Sequence, residues 1–306
     1  VELPVLDITH PAFRPPEGAG PGPWFAFLKQ LPPFAWVREK LGPSSVLQQG
    51  LRRARGGFLS GMDTYLFKLG PDNLGRAYAG ARDRKMAGGA LARSLALRTA
   101  AMARMLAQGL APQLRARPGR PLDLINLGGG PAMDSLNALI LLAQKSPRAL
   151  RGRRVTIHVL DLEAEGPDFG ARALAALQKP GGPLAGLRAR LRYVRYDWAA
   201  PAPLLALLRR CAAGKGVMAG SAEGSLFSYA SDGQIAEHLA LFQAATPASF
   251  RMVGSLAIVG PGPGPALRDR GPEELAALAR SGGWRARFTG GSAFSRHFYL
   301  EKTGKG

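Results

Sequence analysis

Residues 122–142, LDLINLGGGPAMDSLNALILL, run from alternating apolar positions through three glycines and a proline into an amphipathic segment opened by Asp134. A strand that passes through a glycine turn into a helix begins a wound α/β sheet, and it aims backbone N–H groups and a helix dipole at an incoming ligand. The alternation continues downstream. Strands read at 155–161, 191–197, 216–221 and 251–260, and helices at about 134–144, 168–178, 201–212, 232–245 and 272–281. That order implies a parallel sheet with helices on both faces. The last two strands, 284–290 and 296–302, are joined only by GSAFS, too short for a parallel crossover, so they form an antiparallel hairpin. The expected architecture is α/β: a Rossmann-like seven-stranded sheet, mostly parallel, with an antiparallel C-terminal hairpin and a helical N-terminal portion.

Residues up to about 33 are rich in Pro and Gly and read as an arm that wraps a surface, anchored by Trp24, Phe25 and Phe27. Short helices are expected at 34–50 and 58–69. A helical pattern at 73–108, broken at Gly88-Gly89, puts Leu91, Leu95, Met102, Met105 and Leu106 on one face. The Pro/Gly/Arg stretch 109–121 reads as a linker, dividing the chain into 1–112, an N-terminal arm and helical lid, and 113–306, the sheet domain.

The chain carries 41 basic and 21 acidic residues, a net charge of +20, which would attract phosphate backbones or an anionic membrane. The basic residues are mostly Arg, spread among Ala, Gly, Pro and Leu, and the densest groups, LRRARGG and RDRK, lack interleaved aromatic platforms. A solvated basic surface is the default reading, with nucleic acid second. No apolar run long enough for a membrane span occurs and the first residues lack a signal-peptide layout, so the expectation is a cytoplasmic protein. One cysteine, Cys211, excludes an internal disulfide and a cysteine-built metal cluster, and the four histidines show no ligand spacing, so no metal is expected.

A dinucleotide fingerprint needs GxGxxG, but counting from Gly128 puts Met133 at the third glycine, and the phosphate cradle GxxxxGK[ST] is absent. A ligand without phosphate fits better: an adenosine bearing a sulfonium and an amino acid. Asp161 ends VTIHVLD, where a carboxylate would meet ribose hydroxyls, and Asp197 ends LRYVRYD beside Trp198, where an acid and an aromatic face would meet adenine. With these residues the chain resembles the class I S-adenosylmethionine-dependent methyltransferases over about residues 113–306. Their first motif, an acid, any residue, then GxGxG, reads here Asn126-Leu127-Gly128-Gly129-Gly130-Pro131-Ala132, with Asn126 in place of the acid and Ala132 in place of the last glycine.

The resemblance implies S-adenosylmethionine as cofactor, held by Asn126, Gly128, Gly129, Gly130, Asp161, Leu162, Asp197, Trp198 and Ser221. Glu163 is a rival for the ribose, and Arg98 a partner for the cofactor carboxylate or a solvated helix residue. The acceptor would be a small molecule or peptide methylated at oxygen or nitrogen; RNA or DNA is the alternative. The loop after the fourth strand, AGSAEGSLFSYASD, should lie beside the transferred methyl group. Glu223 there is a general base, a partner for the cofactor's amino group or an exposed loop acid. Tyr229 lines an acceptor pocket or packs. His297 is a second base or a structural strand residue, and Asp232 caps a helix.

Overall fold

The computed structural model describes residues 3–13, 45–54, 57–78, 80–258, 266–292 and 294–303. Trp24, Phe25, Phe27 and most of the helix expected at 34–50 lie outside them. The helices are α1 (Val46–Arg53), α2 (Gly61–Lys68), α3 (Ala81–Ala87), α4 (Ala90–Ala116), α5 (Met133–Lys145), α6 (Pro147–Leu150), α7 (Glu165–Leu177), α8 (Ala202–Ala213), α9 (Leu226–Tyr229), α10 (Asp232–Ala245) and α11 (Pro272–Ser281). The strands are β1 (Leu122–Leu127), β2 (Arg154–Asp161), β3 (Arg188–Arg195), β4 (Val217–Ala222), β5 (Arg251–Ala257), β6 (Trp284–Ser292) and β7 (Ser295–Lys302).

The seven strands form one sheet in the order β3-β2-β1-β4-β5-β7-β6. β1 pairs parallel with both β2 and β4, with Leu122 opposite Val155 on one side and Val217 on the other, while β7 runs antiparallel between β5 and β6. Central strands are apolar on both faces because helices cover both. Val155, Ile157 and Val159 of β2 pack with α4, α5 and α7, and Ile125, Met218 and Leu256 pack on the other face with α8, α10 and α11. Each large apolar side chain so buried contributes roughly 1.5–3 kcal/mol. The edge strand β3 alternates arginine with apolar residues, and charge on an edge discourages pairing with another chain.

Boundaries differ from expectation where packing outweighs local propensity. The stretch read as a linker from residue 109 is helical through Ala116, with Pro112 inside α4. Buried Gly109, Leu110 and Leu114 hold that end against the sheet, offsetting the hydrogen bond that proline cannot donate. The expected boundary at residue 112 therefore falls inside a helix. Pairing of Arg188 with Arg154 extends β3 at its start, and the strand ends two residues before Asp197. Ser231, not Asp232, caps α10 in a reciprocal box with Gln234, and Asp232 pairs with Arg270.

Residues 3–13 strap the outside of α2 and α5. The Ile8 amide donates to Asn137 Oδ1 at 2.8 Å, and Asn137 Nδ2 donates to the Leu6 carbonyl at 2.9 Å. Leu6 and Ile8 of the strap are buried.

Candidate active site

Strand order reverses between β1 and β4, and the ends of neighbouring strands diverge there to leave a crevice. A cavity of about 310 Å³ opens at this point. Its floor is the turn after β1. Gly128 and Gly130 have φ near +56° and +52°, and a Cβ on Gly128 would sit 2.7 Å from Ser225 Cβ. Glycine at 128 therefore keeps the backbone both curled and open to the cavity. Ala132 is also left-handed, at φ 55°, where the related motif has glycine.

The turn is braced from behind. Asn126 is fully buried, and its Nδ2, with two hydrogens to donate, lies within hydrogen-bonding reach of Asp134 Oδ1, Ser135 Oγ and Ser221 Oγ at 2.8, 3.1 and 3.0 Å. A Cβ on Gly129 would fall 1.8 Å from Asn126 Oδ1. Asn126 and Ser221 thus shape the turn from the core side and do not reach the cavity wall. Burial, then the charge of Glu223, pushes the Asp134 carboxyl above its ordinary range.

Gly130 is covered. Its Cα packs against Gly61 at the start of α2 and against Gly166 of α7, and a Cβ on Gly61 would lie 2.5 Å from it. The Gly130 amide donates to Asp161 Oδ2 at 2.9 Å, which ties the end of β2 to the turn. Asp161, Leu162 and Glu163 line one side of the cavity. Burial pushes the Asp161 carboxyl up, against amide hydrogen bonds from Gly130, Glu163 and Leu162, and Glu163 is pushed up by burial and then by Asp161.

Tyr196 and Trp198 supply the aromatic side. Asp197 between them is exposed and is not among the residues lining the cavity, and its Oδ1 accepts from the Ala199 amide at 2.8 Å. The expected acid thus closes a local turn, and its two neighbours face the cavity. Phe58 packs edge-on against Trp198 and Tyr229, with ring centroids 5.3 and 4.9 Å away. Burial pushes the Tyr229 hydroxyl's pKa up.

Three charged side chains meet opposite the acids. Glu223 Oε1 lies 2.9 Å from Lys68 Nζ and 3.2 Å from Arg98 Nε, and accepts from Thr99 Oγ1 at 2.8 Å. Burial alone would raise the Glu223 carboxyl, but Lys68 and Arg98 outweigh it and hold the group below the usual range. Lys68 carries no local sequence signal, because helix α2 brings it to the loop after β4 across more than half the chain. Two cations against one carboxylate leave this wall net positive.

His297 is not on the cavity wall but lies within electrostatic reach of Arg98 and Glu223. It is buried on β7, bonded through Nε2 to Ser295 Oγ at 3.1 Å, and faces a separate groove with Arg104, Arg251 and Arg287. Burial, then Arg98, lowers its pKa.

No protein-family model and no curated protein matches the chain. A solved structure described as a possible exported protein from Bordetella parapertussis aligns over 84% of this chain and 86% of that one, with TM-score 0.55 and 18% identity. That likeness agrees with the strand order and the antiparallel β7. The fold is a Rossmann-like seven-stranded sheet, mostly parallel, with an antiparallel C-terminal hairpin. Two solved methyltransferases are less similar. The magnesium protoporphyrin IX methyltransferase from Synechocystis PCC 6803, with bound SAH, is 12% identical over 70% of this chain and 87% of that one, TM-score 0.44. Mitomycin 7-O-methyltransferase is 15% identical over 72% and 58%, TM-score 0.41. In open α/β sheets generally, ligands bind in the crevice at the point where strand order reverses, here at the ends of β1 and β4.

Proposed function

We propose that the chain binds S-adenosylmethionine in this cavity and transfers its methyl group to an oxygen or nitrogen of a small-molecule or peptide acceptor. The observation that carries the reading is the convergence on one cavity of an open glycine turn, the carboxylates Asp161 and Glu163, the Tyr196 and Trp198 rings, and the Lys68–Arg98–Glu223 cluster. A nucleoside with a zwitterionic amino-acid tail matches that donor set. Carboxylates suit paired ribose hydroxyls, aromatic rings suit a base, the turn admits close backbone approach, and a net positive wall suits a carboxylate. Gly128, Gly129, Asp161, Leu162, Trp198 and Arg98 are the expected cofactor residues on the wall, while Asn126, Gly130 and Ser221 support it from behind.

When bound, the cofactor supplies an electrophilic methyl on a good leaving group. The protein's part is to hold the acceptor in line and exclude water. Glu223 is a weak proton acceptor, because both cations stabilise its ionised form; its role is to fix Lys68 and Arg98. Among the described residues no histidine lines the cavity. Catalysis by positioning and desolvation follows, with no general base assigned. Beyond the charged groups the wall is apolar, with Leu51, Phe58, Leu91, Ile258 and Phe294, which favours an acceptor with an aromatic or aliphatic body.

The test is a thermal-shift comparison of S-adenosylhomocysteine with NADH, since a ligand specific for the folded state raises its melting temperature with occupancy. Stabilisation by S-adenosylhomocysteine supports the reading; stabilisation by NADH alone overturns it.

A further inference from the structure

Asp123, His158 and Cys211 are far apart in sequence but meet at the other end of the sheet from the cavity. Asp123 is the second residue of β1, His158 sits mid-way along β2, and Cys211 lies near the end of α8, which covers that face. Their donor atoms, one per residue, all lie within 4.8 Å of one another. His158 Nε2 is 2.9 Å from Asp123 Oδ1 and 3.6 Å from Cys211 Sγ. His158 and Cys211 are buried, and the Asp123 side chain keeps 18% of its surface exposed.

The same imidazole nitrogen faces both the carboxylate and the sulfur. A nucleophilic triad uses the two ring nitrogens for its two partners, so this arrangement is not one. A shared centre needs all three donors to converge, as they do here. Tetrahedral zinc holds sulfur at about 2.3 Å and imidazole nitrogen and carboxylate oxygen at about 2.0–2.2 Å, which separates donors by roughly 3.3–3.6 Å. The nitrogen–sulfur distance already matches. The nitrogen–oxygen contact would open by about 0.4 Å and the oxygen–sulfur pair, at most 4.8 Å apart, would settle at about 3.6 Å, adjustments within reach of the partly exposed Asp123 carboxylate.

We propose that Asp123, His158 and Cys211 form a binding site for a thiophilic divalent cation of the zinc type, with a water at the fourth position on the exposed Asp123 side. Binding transfers the thiol proton to solvent, moves the imidazole proton to Nδ1, and forms one coordinate bond from each donor. The carboxylate and thiolate together neutralise the dication. That balance matters because Arg192, register partner of His158 on β3, and Arg210 flank the cluster. They would repel a cation held without both anionic ligands. The centre would clamp β1, β2 and α8 together. It is separate from the cavity and does not depend on methyl transfer.

Cobalt is the probe. Titrating the reduced, tag-free full chain with Co²⁺ is expected to give a sulfur-to-cobalt charge-transfer band in the near ultraviolet and tetrahedral bands in the visible, saturating at one equivalent and abolished by Zn²⁺. Cys211→Ser should remove the charge-transfer band. Asp123→Asn, nearly isosteric and at the partly exposed position, should retain the wild-type circular dichroism and weaken Co²⁺ binding by about tenfold or more. No band at stoichiometric Co²⁺, a band that survives Cys211→Ser, or unchanged affinity in Asp123→Asn would each overturn the proposal.

Discussion

The Lys68 ammonium lies 2.9 Å from the Glu223 carboxylate, with only 8% and 3% of the two side chains exposed. Removing Lys68 leaves Glu223 with Arg98 and Thr99 as its remaining partners. Lys68→Met is expected to lower stability by about 2 kcal/mol in urea unfolding, less than the loss of a sole partner would cost, whereas a loss no larger than that of a surface pair would show the cluster to be well solvated. The acid limb follows from the lowered Glu223 pKa. Its contribution is fully present above the unfolded value of 4.5 and is lost as pH falls through the lower folded value. Glu223→Gln should flatten that part of the stability curve.

Gly128→Ala tests the cradle. The new methyl meets left-handed backbone strain and the Ser225 side chain together. We expect a loss of about 2 kcal/mol and weaker S-adenosylhomocysteine binding. Gly119→Ala is the control, since Gly119 has φ +70° with open space around it and carries strain alone. Equal losses at the two positions would remove the case for close packing at Gly128.

Asp134 is buried with Oδ2 unpaired, and its carboxyl is raised by burial and then by Glu223. A raised carboxyl destabilises the fold progressively as pH climbs from the unfolded value of 3.8 through the folded one. Asp134→Asn should therefore have a higher melting temperature than the parent at neutral pH, with the gap narrowing in acid. A gap that widens in acid would contradict the assigned direction.

Lys215 is exposed at φ 49°, just after α8. Lys215→Gly relieves backbone strain at the cost of a freer unfolded chain, for an expected gain of about 0.5 kcal/mol. A lower melting temperature would show that the Lys215 side chain makes a stabilising contact.

The wound sheet and its closing hairpin were legible because burial on two faces writes continuous apolar runs into the strands, and a five-residue connector admits one topology. Gly128, Asp161, Trp198 and Glu223 were legible because strand ends in such a sheet converge. Asp197 stands just past the end of β3, where a turn closed on the Ala199 amide leaves it exposed while Tyr196 and Trp198 line the cavity, and no spacing along the chain records that turn. His297 and Ser221 sit on strands behind the cavity wall, His297 within electrostatic reach of Arg98 and Glu223 and Ser221 bonded to Asn126. Lys68 and Thr99 reach Glu223 only through the packing of α2 and α4, and no spacing along the chain records such a meeting. The strap of residues 3–13 was legible as an arm, but its anchor at Asn137 was not.

The helix α4 bears on how the protein can evolve. It is about 40 Å long. Its first turns carry Leu91 and Arg98 to the cavity, and its last turn packs Leu114 beneath the start of β1. Recognition elements are often exchanged between enzymes as separable cassettes. Here a helix that lines the cavity is also a beam of the core, so it cannot be exchanged without rebuilding the floor, and the shape of that wall can change only side chain by side chain along one fixed rod.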